Sequence, residues 1–172
     1  MKLIIGLGNP GKEYAKTRHN AGFLAIDHLL STIRESTSDS RSNCEIVKVT
    51  HDGDTWMIVK PLTYMNLSGT VAQELISYYK LDPTKDLIVI HDELDLPLGE
   101  IRISTDSRSA GHNGVQSIID ALGTKNFKRI RIGVENRPDK KTPPGDKYVL
   151  QNFTPEEYEI LQKTLQSVIS RL

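Results

Sequence analysis

Short apolar runs, punctuated by glycine, asparagine and aspartate, divide this chain. Leu3–Leu7, Glu45–Thr50, Thr55–Lys60, Leu87–His91, Ile101–Ser104 and Arg129–Val134 are too short for helices and are bounded by turn formers, so they read as strands. Between them, apolar residues recur every three to four positions near Asn20–Ile33, Leu67–Tyr79 and His112–Leu122, the period of a helix with one buried stripe. A further helix is announced by Thr154-Pro155-Glu156-Glu157: a capping hydroxyl, a proline at the first helical position and a glutamate three after the cap. Strands alternating with helices imply an α/β domain. The runs 45–50 and 55–60, joined through His51-Asp52-Gly53-Asp54, read as a hairpin. The expected architecture is therefore a single domain whose twisted sheet is mixed but largely parallel and flanked by helices. Ser36–Asn43 is polar and rich in serine, and Asn136–Lys147 holds three prolines, a glycine and four basic residues; neither has an apolar period, and both are expected to be mobile.

Composition narrows the picture. At 172 residues the chain is one domain able to bury a full core, with no internal repeat and no low-complexity block. Lysine plus arginine and aspartate plus glutamate are each 22, so no overall field draws the protein to nucleic acid or membrane. The charge is nevertheless segregated: residues 82–106 carry seven carboxylates against Lys85 and Arg102, and residues 125–147 carry eight cations against three carboxylates. A neutral chain can still hold a polyanion on one such patch. The lone Cys44 excludes an internal disulfide and points to a reducing compartment. The apolar run after Lys2 is far too short for a signal peptide and no stretch approaches bilayer length, so a cytoplasmic protein is expected.

Polar chemistry concentrates at four places: Asn9 to Asn20, Pro61 to Asn66, His91-Asp92-Glu93-Leu94-Asp95, and Gly111-His112-Asn113-Gly114. Three follow strands ending near Leu7, Lys60 and His91, and ligands of open α/β sheets bind at strand carboxyl ends. If those ends share one edge, the polar groups converge. Gly6-Leu7-Gly8-Asn9-Pro10-Gly11 also matches the dinucleotide fingerprint G-x-G-x-x-G, but that motif requires a helix to open within it. Lys12 to Asn20 has no helical stripe, and a nicotinamide-type site is set aside. Taken singly, Asn-Pro-Gly is a turn, Asn66 or His112 a helix cap, and His19 a structural histidine. No H-x-x-x-H or paired-cysteine spacing supports a metal, although His19, His91, Asp92, Glu93, Asp95 and His112 leave a metal-dependent hydrolase as a rival.

In combination these segments resemble the bacterial peptidyl-tRNA hydrolases. The resemblance rests on Gly6 to Gly11 with Tyr14, Thr17-Arg18-His19-Asn20-Ala21-Gly22, Pro61-x-Thr63-Tyr64-Met65-Asn66-x-Ser68-Gly69, His91-Asp92-Glu93-Leu94-Asp95-Leu96-Pro97-x-Gly99, Gly111 to Gly114 with Ser117-Ile118, and Phe127-x-Arg129-x-Arg131-Ile132-Gly133. It implies hydrolysis of the ester between an N-blocked peptide and the 3′ ribose of tRNA, recycling peptidyl-tRNA released from ribosomes, with no cofactor and no metal. His19 is then the general base on water, Asp92 its support, and Asn9 the residue that distinguishes blocked from free aminoacyl esters. Tyr14, Tyr64, Met65, Asn66, His112 and Asn113 would bind peptide and tRNA 3′ end, and Arg131 the tRNA 5′ phosphate at the acceptor stem. Residues of about 136–150 would form a mobile lid, and a monomer is implied.

The chain departs from the family pattern in places. Ser107 and Ala110 stand where glycine is usual, and any positive φ there is strained. Ser104 replaces a basic residue, so Arg102 or Arg108 is expected to take over its phosphate contact. Glu135-Asn136 replaces a hinge glycine. These changes leave open a module that binds the tRNA end without cleaving it.

Overall fold

Alternation of side chains along the strands explains the layering. The structure is a computed structural model and describes residues 1–33, 36–41, 43–51 and 53–172. Its elements in chain order are β1 (Lys2–Gly6), α1 (Ala21–Thr32), β2 (Thr37–Arg41), β3 (Cys44–His51), β4 (Asp54–Pro61), α2 (Ser68–Tyr79), α3 (Pro83–Asp86), β5 (Leu87–Pro97), β6 (Ile101–Ser104), α4 (Asn113–Leu122), β7 (Lys128–Glu135), α5 (Gly145–Tyr148) and α6 (Pro155–Leu165). Leu3 and Ile5 of β1, with Met57, Val59, Leu87 and Val89 of its neighbours, join the buried residues of α2 and α4. Ile4, with Ile58, Ile88, Ile90, Ile130 and Ile132, joins those of α1 and α6. The sheet is thus buried on both faces, which is why its central strands are apolar throughout rather than alternating.

The seven strands lie in the order β2-β3-β4-β1-β5-β7-β6. The central four, β4, β1, β5 and β7, are mutually parallel; β2 and β3 on one side and β6 on the other run antiparallel to their neighbours. After β1 the chain builds β2 to β4 on one side of it and then crosses to build β5 to β7 on the other. Such a reversal opens a crevice outside the strand carboxyl ends. The register Ile5↔Val59 and Gly6↔Ile90 brings the ends of β1, β4 and β5 to one edge, the condition for their polar groups to converge.

Two expectations are corrected. Thr37–Arg41, within the stretch expected to be mobile, is edge strand β2 and pairs with β3 from Thr37↔Lys48 to Arg41↔Cys44. Backbone pairing at the rim of the sheet needs no apolar period; Ser42 of that stretch lies outside the described residues. Strand β5 does not stop at His91 but continues to Pro97, with a register irregularity between Glu93 and Pro97. Asp92 therefore sits inside a strand, opposite Ile132, rather than at its end. The polar side chains hid a backbone ladder that does not depend on them. The hairpin β3–β4 pairs as expected through His51↔Asp54, with Asp52 of its turn outside the described residues. At α6, Thr154 accepts from the Glu157 amide and the Glu157 side chain accepts from the Thr154 amide, completing the capping box read from sequence. No helix of the described residues is long and apolar enough to cross a membrane.

Candidate active site

The loop leaving β1 passes one 3-10 turn, Lys12–Tyr14, and reaches a second, Arg18–Asn20, that delivers His19. Its path is fixed by backbone bonds on both sides. The Leu7 amide donates to Ile90 O at 2.9 Å, and the His19 amide donates to Val149 O at 2.8 Å. Gly22 lets α1 approach this corner, because a Cβ there would collide with the Leu7 amide and the Ile90 carbonyl.

The Nδ1 atom of His19 lies 3.0 Å from each oxygen of Asp92. The carboxylate is 2% exposed and is also met by Nε2 of His112 at 2.8 Å. The other nitrogen of His112, Nδ1, accepts from the amides of Gly114 and Val115 at the start of α4. It therefore carries no proton, and Nε2–H is the donor to Asp92. His19 and His112 stand with ring centroids 4.8 Å apart across one carboxylate. Burial alone would raise the Asp92 carboxyl, but attraction to the two imidazoles and their hydrogen bonds hold it well below the ordinary range. Burial likewise opposes a charge on His19, but the Asp92 charge and hydrogen bond outweigh it, and the imidazole pKa is raised. An ionised Asp92 accepts from Nδ1–H of His19, so Nε2 is the lone-pair nitrogen of that ring at the cleft.

His19, Asp92 and His112 offer three donor atoms within 4.8 Å of one another, the spacing of a metal site. The donor chemistry does not fit one. A cation on Nε2 of His112 would force the ring proton onto Nδ1, against two amide N–H groups that already point at it. His91 is fully buried, and that burial pushes its imidazole well below the ordinary value. It donates from Nδ1 to the Asp92 carbonyl at 2.6 Å, and its Nε2 has no hydrogen-bond partner among the described residues.

Asn9 is clamped by Asn20, whose Oδ1 accepts from the Asn9 amide at 2.9 Å and whose Nδ2 donates to Asn9 O at 3.0 Å. The Asn9 side-chain oxygen accepts from the Met65 amide at 2.8 Å, which fixes the orientation of its carboxamide. Its NH2 group is left to the cleft. That cleft, about 630 Å³, is lined by Asn9, Tyr14, His19, Tyr64, Met65, Asn66, Asp92, His112 and Asn113 among the sequence-derived residues. Glu93, Leu94, Ala110, Gly111, Gly145, Asp146, Lys147, Val149 and Leu150 complete its wall. Lys147 and its neighbours come from the segment 136–150, where α5 replaces part of the irregular stretch.

Three expected residues lie outside the cleft. Arg131 donates from Nε to Glu93 at 3.0 Å. Arg102 is exposed beside Glu100 and is the cross-strand partner of Arg131. Arg108 lines a smaller cavity with Lys125 and Gln116, sharing only Ala110 and Gly111 with the cleft. Ser104 pairs with Arg129, not Arg131, and its buried hydroxyl has no hydrogen-bond partner among the described residues. Ala110 adopts φ 51°, the left-handed region foreseen for a glycine, and Ser107 does not. Glu135 forms a buried ion pair with Arg137 at 2.5 Å. His112, expected to face substrate, has both nitrogens engaged within the protein. Sequence reasoning missed the role of Asn20, although it belongs to the quoted motif, and the pairing of Glu93 with Arg131, which adjacent strands alone create.

The chain matches the peptidyl-tRNA hydrolase family model over residues 3–172. It is 44% identical to a peptidyl-tRNA hydrolase of Aquifex aeolicus over 169 residues, covering 98% of this chain and 86% of the relative. It is 47% identical to that of Geobacillus kaustophilus over 165 residues, covering 96% and 87%. The crystal structure of peptidyl-tRNA hydrolase from Acinetobacter baumannii superimposes with a TM-score of 0.90 at 31% identity, covering 99% of this chain and 86% of that one.

Proposed function

This chain belongs to the peptidyl-tRNA hydrolase family, and from that premise we propose how its cleft cuts the ester between a peptide and the 3′ ribose of tRNA. The carrying observation is His19 held by Nδ1 on both oxygens of a buried, ionised Asp92. Nε2 of His19 takes a proton from water as the water oxygen attacks the ester carbonyl carbon. Asp92 stabilises the imidazolium that forms, as in base–orienter pairs of other hydrolases. The tetrahedral adduct then collapses, the bond from carbon to the 3′ oxygen breaks, and Nε2 returns its proton to that oxygen.

Asn9 contributes the NH2 that Met65 leaves free, a donor suited to a peptide carbonyl or the developing oxyanion. A free α-ammonium group is itself only a donor and gains nothing from that NH2, which supports a preference for N-blocked esters. Asn66 and Asn113 stand in the same cleft and supply further amides for the peptide backbone and the tRNA end. Tyr14 and Tyr64 are offered as stacking surfaces for the terminal adenine, Tyr64 being 58% exposed. Met65 gives an apolar wall for the peptide.

Arg131 with its cross-strand partner Arg102, and Arg108 near Lys125, lie outside the cleft and would contact acceptor-stem phosphates beyond it. The segment 136–150 contributes one wall and would act as the lid. One chain supplies the whole cleft, which favours a monomer, and a translation substrate favours the cytoplasm. The test is release of the blocked acid from an N-acetylated aminoacyl-tRNA and from the unblocked form, with and without chelator, by the parent and by His19→Ala. Cleavage of the blocked ester alone, untouched by chelator and reduced about 10³-fold by the variant, is expected. Turnover by His19→Ala at the parental rate would remove the assignment of the base.

A further inference from the structure

We propose that the buried pair Arg18–Glu157 is a positioning device that holds the His19 turn in reach of Asp92 and ties it to the wall formed by residues 145–150; the idea rests on His19 being the base. Arg18 and Glu157 are 5% and 7% exposed at their side chains and meet at 2.5 Å. The guanidinium stacks 4.0 Å above the Tyr148 ring and donates from Nη1 to Gln151 O and Tyr148 O. The second Glu157 oxygen accepts from Asn136 Nδ2 at 3.0 Å. The carboxylate therefore joins the residue next to the base to Asn136 at one end of the segment 136–150, and the guanidinium meets Tyr148 near its other end.

The backbone adds a second tie. Arg18 N donates to Gln151 O at 3.1 Å, and His19 N to Val149 O. A single 3-10 turn has little rigidity of its own. A buried ion pair is weak evidence for stability, because apolar replacements of similar volume often fold as well. Its placement beside the base points to geometry as what it secures, since a misplacement of about 1 Å can cost roughly 10²-fold in rate.

The experiment compares Glu157→Gln, the double variant Arg18→Met/Glu157→Gln, and Ile46→Ala, a core truncation in β3 remote from the turn. Glutamine still accepts from the Thr154 amide, so the capping box survives. Measured are melting temperature, kcat and KM on N-acetylated aminoacyl-tRNA, and the low-field proton resonance of His19 Nδ1–H. Glu157→Gln is expected to lower kcat about tenfold or more with KM within about threefold, and to weaken the resonance. The double variant should regain melting temperature but not kcat, because it removes the uncompensated buried charge without restoring the tie. Recovery of kcat together with melting temperature would overturn the proposal. So would a loss no larger than that of Ile46→Ala at a matched melting temperature, or an unchanged resonance. The resonance is read without turnover, so it tests the positioning even if His19→Ala remains active and the assignment of the base fails.

Discussion

Two histidines share one carboxylate, and what separates them is the opposite edge of each ring. His112 spends Nδ1 on the first amides of α4, which fixes its tautomer and leaves it no ring nitrogen for a ligand. His19 spends Nδ1 on Asp92 and keeps Nε2 at the cleft. Burial and a shared partner do not make both rings bases; the helix start turns one into a fixed donor. The lesson is that a catalytic histidine is defined by its unused nitrogen.

The comparison breaks first at Asp92. Asp92→Asn should lower kcat/KM by roughly 10² or more, by removing the charge that stabilises the imidazolium. Burial, the largest influence on His19, would then act unopposed, so the acid limb of the pH–rate profile should move to lower pH than in the parent. In the parent that limb should lie above about 6.5, since the base works only when unprotonated. Stability should run the other way. A raised imidazole pKa means that the His19–Asp92 pair stabilises the fold fully below about 6.5 and loses that gain as pH rises through the raised value. Melting temperatures of parent and Asp92→Asn, taken across this window, should converge with increasing pH; a constant gap would contradict the pairing.

His112→Ala comes next. Kinetics should lose about tenfold in kcat, far less than at His19 or Asp92, because only a donor to the carboxylate is removed. Chemical denaturation should show a loss of about 1 kcal/mol as the α4 amides of Gly114 and Val115 lose their acceptor. A loss in kcat as large as that of His19→Ala would erase the distinction between the rings. The smallest effect is expected at Ala110→Gly, in the loop that carries His112. Relief of the left-handed φ of 51° should offset the greater freedom of the unfolded chain, for a gain of at most about 1 kcal/mol by denaturation.

Much of this was legible in the chain. The apolar runs of β1 and β4, the stripe of α1 and the capping box of α6 each carry their own local signal. Strand β2 carries none, because an edge strand needs only backbone donors and acceptors. The extension of β5 past His91 was hidden for the same reason. Asn9, His19, Asp92 and Asn113 were nameable from their segments, and the switch of chain direction beside β1 brought them together. What stayed illegible was pairing: that His112 and His19 meet on one carboxylate, that Arg131 takes Glu93, and that Ser104 faces Arg129. Such neighbours are set by strand order, which no residue spells out.

The capping box of α6 also carries a constraint on length. Glu157 closes the first turn of its own helix and grips Arg18 with the same oxygen, Oε2. The start of that helix is therefore pinned to the residue preceding the base. Between Val149, whose carbonyl holds the His19 amide, and Glu157, whose carboxylate holds Arg18, the number of residues is as fixed as their identity. An insertion there would leave every side chain in place and still put the two grips out of step.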